Sequence, residues 1–312
     1  MAEAAFASTG RQGAATRPAA AMAGWARGHG DGVERLDAHL HLWTLGEGRY
    51  PWLGPQHGHL YRTYPVQEAR ETLAAAGVRR AILVQADDTA ADTEAMLLNA
   101  ARHDWIAGVV GWLPLEDAAA AAALLEKWLV HPKFCGVRTL VHDDPRPDVL
   151  ALPAVRESLS LLAAAGIPFE VPDAFPRHLG QVAALAADLP GLTVVVDHLG
   201  KPPRAGTDEE FALWELQLRA AAALPNTVAK LSGLHCPGAD LSAAALERAW
   251  TVALEAFGPS RLMYGGDWPV SLLGLPYANT LEVVGQLIES LSLGEASAIW
   301  HRTAEATYAP YV

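Results

Sequence analysis

Two histidines spaced two residues apart, His39 and His41, close the first apolar run of this 312-residue chain. Side chains alternate along a strand, so both imidazoles project to one face. Two inward imidazoles can chelate one divalent ion, or donate two hydrogen bonds to a single substrate oxygen. Far downstream, Asp267 stands between Gly265-Gly266 and Trp268-Pro269. The glycine pair permits close backbone approach and the proline ends further pairing. That leaves the carboxylate placed as a general base on water or as a metal ligand. The plainer readings are a pair of satisfied core histidines and, for Asp267, the N-cap of a following helix.

Other strand ends carry related groups. The run Val194-Val195-Val196 leads straight into Asp197-His198. A buried strand that ends in two ionisable groups points to His198 as a site residue, with Asp197 orienting a neighbouring histidine. Arg138, in Gly136-Val137-Arg138, offers a bidentate fork for a carboxylate or polyol oxygens, or a salt bridge at the rim. Glu170 and His235 are weaker strand-end candidates, and His142, beside Asp143 and Asp144, reads as a solvated loop residue. Five of the twelve histidines fall at or just beyond expected strand ends. Trp43, Trp52, Trp112 and Trp268 lie near the same ends, where indole faces suit stacking on a sugar-like ring or plain packing of long loops. The loop through Tyr50-Pro51-Trp52-Leu53 reads as a lid.

What could bring these groups together? Strands are expected over 33–38, 80–86, 106–112, 134–140, 167–171, 193–197, 227–232 and 261–265. Between them lie helical stretches over 66–76, 90–103, 118–130, 154–165, 178–189, 209–224 and 241–257, followed by 280–290 and 295–308. Gly77, Gly166 and Gly258 read as helix stops. Parallel strands need crossover connections, so this alternation predicts a (β/α)8 TIM barrel, whose functional groups collect where the strands end. A dinucleotide fold is disfavoured, because the first strand runs into Asp37-Ala38-His39-Leu40-His41 and not a glycine-rich phosphate loop. The barrel is expected over 33–312 as one domain, after a disordered leader over 1–32 in which Met22 offers an alternative start.

Composition narrows the partners. With 23 basic and 35 acidic residues the net charge is −12, so nucleic acid is not an expected partner. No apolar run approaches the roughly 18 residues of a membrane-spanning helix, and no signal peptide is legible. Two cysteines, Cys135 and Cys236, cannot build a disulfide framework, which points to the reducing cytoplasm. A homo-oligomer is left open.

Several segments together resemble a known family. They are Leu36-Asp37-Ala38-His39-Leu40-His41-Leu42-Trp43, Tyr50-Pro51-Trp52-Leu53, Asp197-His198-Leu199-Gly200-Lys201-Pro202, Lys230-Leu231-Ser232-Gly233-Leu234 and Arg261-Leu262-Met263-Tyr264-Gly265-Gly266-Asp267-Trp268-Pro269-Val270. In order and spacing the chain resembles the amidohydrolase superfamily. Within it, the likeness is to the branch of sugar-acid and dicarboxylate lactonases that includes L-fuconolactonase-like and L-rhamnonolactonase-like enzymes.

The resemblance implies a hydrolase that opens the cyclic ester of a sugar-derived lactone, a small-molecule substrate. Asp267 would take the proton of the attacking water. His39, His41 and His198 would polarise the carbonyl, directly or through a metal, and Arg138 would anchor the substrate, with Trp43, Trp112 and Trp268 along its path. His39, His41 and Asp267 are the implied metal ligands, with zinc the ion such mixed donors favour. Catalysis without metal is the alternative. The superfamily's usual strand-5 histidine is missing, and Glu170 or His235 are the candidate further ligands. Competing expectations are a metal-dependent decarboxylase or amidohydrolase acting on another small carboxylate, and an inactive barrel that only binds its ligand.

Overall fold

The computed structural model describes residues 33–46 and 50–309. Eight parallel strands lie in sequence order in one sheet: β1 (Leu36–Leu40), β2 (Arg80–Val84), β3 (Ile106–Gly111), β4 (Phe134–Arg138), β5 (Phe169–Val171), β6 (Val194–Val196), β7 (Thr227–Leu231) and β8 (Leu262–Tyr264). Neighbours along this order are hydrogen-bonded in parallel. The residues just beyond β8 close the ring. Leu40 pairs with Trp268, the Asp267 N–H donates to the His39 carbonyl at 2.7 Å, and the His41 N–H donates to the Trp268 carbonyl at 2.8 Å. The expected TIM barrel is the fold, and its seam joins the two segments that carry His39, His41 and Asp267.

A helix follows each strand: α1 (Val66–Ala75), α2 (Ala90–Arg102), α3 (Ala118–Leu129), α4 (Pro153–Ala165), α5 (Leu179–Asp188), α6 (Asp208–Ala222), α7 (Ala243–Phe257) and α8 (Tyr277–Leu287). Local chemistry sets where several begin. Thr89, Asp117, Thr207 and Ser242 each accept a hydrogen bond from the backbone N–H three residues on, satisfying a donor that the first turn leaves free. At the far end of α4, Gly166 takes the left-handed conformation (φ 68°) that releases the chain toward β5.

Several boundaries differ from the periodicity. The last barrel helix lies three residues earlier than expected, at Tyr277–Leu287, and most strands are shorter by one to two residues at an end. β1 starts at Leu36, three residues later than expected, and runs to Leu40, so His39 lies inside the strand and His41 directly follows it. The helix expected over 295–308 is broken into Leu293–Ser297, a wide turn at Ala298–Arg302 and Thr303–Thr307. Tyr308 follows and is fully buried, its hydroxyl donating to Glu170 of β5. Burying that phenol in the barrel outweighs one more helical turn.

The chain divides into two units, Met1–Val33 and Glu34–Val312, and the barrel is the second. The leader expected over 1–32 lies outside the described residues. Among the described residues no helix is long and apolar enough to cross a membrane.

Candidate active site

Four charged side chains with almost no solvent contact meet inside the barrel. Lys230 of β7 places Nζ 2.7 Å from Glu170 Oε2 and 3.2 Å from Asp197 Oδ1. Arg138 of β4 donates to the Gln85 carbonyl at 2.5 Å and reaches Asp197 Oδ2 at 3.4 Å. Two cations therefore face two carboxylates, which is what makes their burial tolerable. Burial pushes the Glu170 carboxyl up. It pushes Asp197 the same way, but Lys230 and Arg138 outweigh it and hold that carboxyl below its ordinary value.

His39 rests on this cluster. Its Nδ1 is 3.2 Å from Lys230 Nζ and 3.5 Å from Asp197 Oδ1, and its Nε2 faces His41 Nε2 at 3.1 Å. Burial, reinforced by Lys230, drives the His39 imidazole well below its usual range, so it is neutral at physiological pH. His41 is turned by a hydrogen bond between Nδ1 and the Val84 carbonyl, 2.8 Å. Asp267 completes the group, with Oδ1 3.4 Å from His41 Nε2 and 3.8 Å from His39 Nε2. Its backbone is left-handed (φ 52°), a conformation aspartate tolerates better than most residues.

Asp37 fastens this arrangement from behind. Its Oδ1 accepts the His39 and Gly266 N–H groups at 2.9 and 2.7 Å, and its Oδ2 accepts the Tyr277 hydroxyl at 2.8 Å. Burial lifts its carboxyl to about 6. The two glycines before Asp267 serve this close approach. A Cβ on Gly265 would lie 2.7 Å from the His39 Cβ, and one on Gly266 would lie 2.5 Å from Asp37 Oδ2.

His198 enters from the end of β6 on an unusual turn. His198, Leu199, Gly200 and Lys201 all have positive φ (56, 52, 70 and 59°), where non-glycine residues cost about 1–2 kcal/mol each. Hydrogen bonds from Trp214 Nε1 to the Leu199 carbonyl (2.8 Å) and from the Phe175 N–H to the Gly200 carbonyl (2.9 Å) hold it. The turn puts the His198 ring 4.6 Å from that of His39, with Nδ1 2.9 Å from Ser232 Oγ. Burial and His39 also keep this imidazole neutral. Asp173 sits 3.7 Å from its Nε2 and 3.6 Å from Lys201 Nζ.

A cavity of about 580 Å³ opens above these groups, with His41, Asp267, His198 and Arg138 in its floor and Trp43 and Trp52 in its wall. The segment 50–53, expected as a lid, is tied down: the Tyr50 hydroxyl donates to Asp92 Oδ1 at 2.8 Å and Trp52 Nε1 to the Ala86 carbonyl at 2.7 Å. Five expected site residues thus converge, namely His39, His41, His198, Arg138 and Asp267. Trp43 lines the same cavity, and His142, expected in a solvated loop, also reaches it. The remaining candidates go elsewhere. Trp268 is buried edge-on against Tyr64, their ring centres 5.1 Å apart. Trp112 lines a separate depression with Asp88 and Glu116, and His235 lines another with Arg204 and Cys236. Glu170 is not free to ligate a metal, because Lys230 and Tyr308 engage its two oxygens.

Several groups with parts in this geometry carry no chemical role in the sequence alone, among them Lys230, Lys201, Asp173 and Asp37. Lys230 carried a signal, since a lysine in the otherwise apolar strand Thr227–Leu231 must find carboxylates to be buried at all.

The family model described as amidohydrolase matches residues 36–309, the whole barrel with every one of these groups. The chain belongs to the amidohydrolase family. Among similar curated proteins of that kind, an L-fucono-1,5-lactonase from Burkholderia multivorans is 36% identical over 291 residues, covering 89% of this chain and 97% of the relative. A second L-fucono-1,5-lactonase, from Burkholderia ambifaria, is 35% identical over 244 residues, covering 77% and 81%. A solved amidohydrolase from Burkholderia multivorans with bound zinc superposes with a TM-score of 0.80 at 34% identity, over 88% of this chain and 99% of that one.

Does this amidohydrolase's own donor set fit such an ion? A tetrahedral zinc with bonds of about 2.0–2.1 Å needs its nitrogen and oxygen ligands roughly 3.3 Å apart. The His39, His41 and Asp267 ligand atoms are separated by 3.1, 3.4 and 3.8 Å, which brackets that spacing. The three residues could hold a divalent ion with no change of fold.

Proposed function

We propose that this amidohydrolase opens a sugar-derived lactone by water attack, with Asp267 as the general base. The observation that carries the reading is Asp267 facing His39 and His41, at 3.8 and 3.4 Å, on the floor of a cavity walled by Trp43 and Trp52. The two L-fucono-1,5-lactonases at 35% and 36% identity support the substrate class.

The chemistry follows from the residues. A lactone ring stacks against the indole wall with its carbonyl carbon above Asp267. Water loses a proton to Asp267 as its oxygen bonds to that carbon, and the carbonyl oxygen becomes an oxyanion. The neutral imidazole of His198, in the cavity floor, supplies an N–H donor that needs little reorganisation, and His39 and His41 beside it hold the polar floor in place. Collapse breaks the ring C–O bond, and the ring oxygen leaves as a hydroxyl with the proton that Asp267 had taken. The product is an open hydroxy acid. No serine or cysteine nucleophile is called for, and Cys135 is buried away in the core. Arg138, whose fork is partly spent on Gln85 and Asp197, would attract the nascent carboxylate by charge. When bound by His39, His41 and Asp267, a zinc ion would add Lewis-acid polarisation of the carbonyl.

A panel of sugar lactones with a pH indicator, run with and without chelator, tests the proposal. Acid release well above the spontaneous rate is expected for at least one member. Carbon dioxide release from an aromatic or small carboxylate, with no lactone turned over, would instead make the protein a decarboxylase.

A further inference from the structure

We infer that Lys230 sets the tautomer of His39: it holds the single imidazole proton on Nε2, and so opposes capture of a metal ion by His39, His41 and Asp267. The inference concerns protons and metal at this site, and stands whatever substrate the cavity takes.

The chain of hydrogen bonds can be followed from its fixed end. The Val84 carbonyl only accepts, so His41 Nδ1, at 2.8 Å, carries a proton, and a ring with that single proton has a bare Nε2. His39 Nε2 lies 3.1 Å from that bare nitrogen, and in the metal-free protein a contact this short needs one proton between the two. His39 must supply it, which leaves His39 Nδ1 bare. Facing it at 3.2 Å is Lys230 Nζ. An ammonium has three N–H groups and no lone pair. Lys230 has three acceptors for them: Glu170 Oε2 at 2.7 Å, Asp197 Oδ1 at 3.2 Å and His39 Nδ1. Every donor finds its acceptor.

The other tautomer fits badly. A proton on His39 Nδ1 would point at the ammonium inside a dry interior, with Asp197 Oδ1 the nearer carboxylate oxygen at 3.5 Å and already shared with Lys230. It would also leave two bare nitrogens facing each other at 3.1 Å. A protonated His41 would bridge that gap, yet would still force the His39 proton onto Nδ1 and against Lys230. Arg138 Nη1, 3.3 Å from His39 Nε2, has its alternative acceptor in Asp197 Oδ2 at 3.4 Å. A metal ion needs the Nε2 lone pairs of both histidines. Binding it therefore requires the His39 proton to move to Nδ1, the position Lys230 disfavours.

The wild-type protein provides the first test. In chelator-treated full-length chain labelled with 15N-histidine, NMR correlations distinguish bare from protonated ring nitrogens, and His39→Gln assigns the resonance. A bare Nδ1 and protonated Nε2 on His39 are expected, and a protonated Nδ1 would overturn the inference. Second, zinc affinity is measured by competition with a chromophoric chelator. In Lys230→Met, which keeps the length and loses the donors, zinc should bind about tenfold tighter or more, the scale on which outer partners of metal-binding histidines act. Unchanged affinity would contradict the inference. If that variant does not fold with Glu170 left unpaired, Lys230→Met combined with Glu170→Gln removes the surplus charge and carries the same expectation.

Discussion

Asp267→Asn is expected to lower kcat/KM for a sugar lactone by about 1000-fold, within the range a positioned general base contributes. The substitution is close to a pure removal of basicity. Asparagine matches aspartate in shape and tolerates the left-handed backbone (φ 52°) that this position requires. The main-chain bond from residue 267 to the His39 carbonyl, which closes the barrel seam, does not involve the side chain. The melting temperature should therefore move little while turnover collapses. Steady-state kinetics beside a thermal melt checks both. Activity within tenfold of the parent would remove Asp267 from its role as base.

Gly233→Ala is expected to cost about 100-fold in kcat/KM by displacing His198 from the cavity floor, although Gly233 itself carries no catalytic group. Gly233 follows Ser232 with φ 53°, and a Cβ there would lie 2.2 Å from His198 Nδ1 and 2.4 Å from its Cγ. The His198 ring cannot stay where it is. It must give up its 2.9 Å contact with Ser232 Oγ, and with it the orientation of Nε2. Left-handed strain at an alanine adds about 1–2 kcal/mol of lost stability. A double-mutant cycle separates the two effects: placed in a His198→Ala background, Gly233→Ala should leave kcat/KM nearly unchanged while still lowering the melting temperature. An equal rate loss in both backgrounds would mean that Gly233 acts by some route other than His198.

Much of this was legible in the chain and some was not, for reasons that differ residue by residue. The barrel was legible because apolar runs and helical stretches alternate with helix stops between them, as at Gly166. The core of the site was legible because His39 and His41 share a phase on one strand, and because Asp197-His198 and Asp267 end others. Direction was harder. Trp112 and Trp268 stand as near to strand ends as Trp43, yet only the last looks into the cavity, since position along a strand does not say which way a large side chain turns. Lys230 is one charged residue among apolar neighbours. Its meaning depends on Glu170 and Asp197, brought alongside by β5 and β6 from distant stretches of chain. The left-handed run from His198 to Lys201 shows only Gly200 as a warning, because histidine, leucine and lysine rarely take that conformation. Tyr308 continues a helical pattern and leaves it only because a buried carboxylate awaits its hydroxyl.

A crystal structure of the Asp267→Asn protein soaked with a sugar lactone tests the central claim most directly, because the slowed variant should retain the intact ring. The account predicts the ring against Trp43 and Trp52, its carbonyl carbon facing the side chain at position 267 and its carbonyl oxygen toward His198. A ring seated in the Trp112 depression, or one whose carbonyl points out of the barrel, would contradict it.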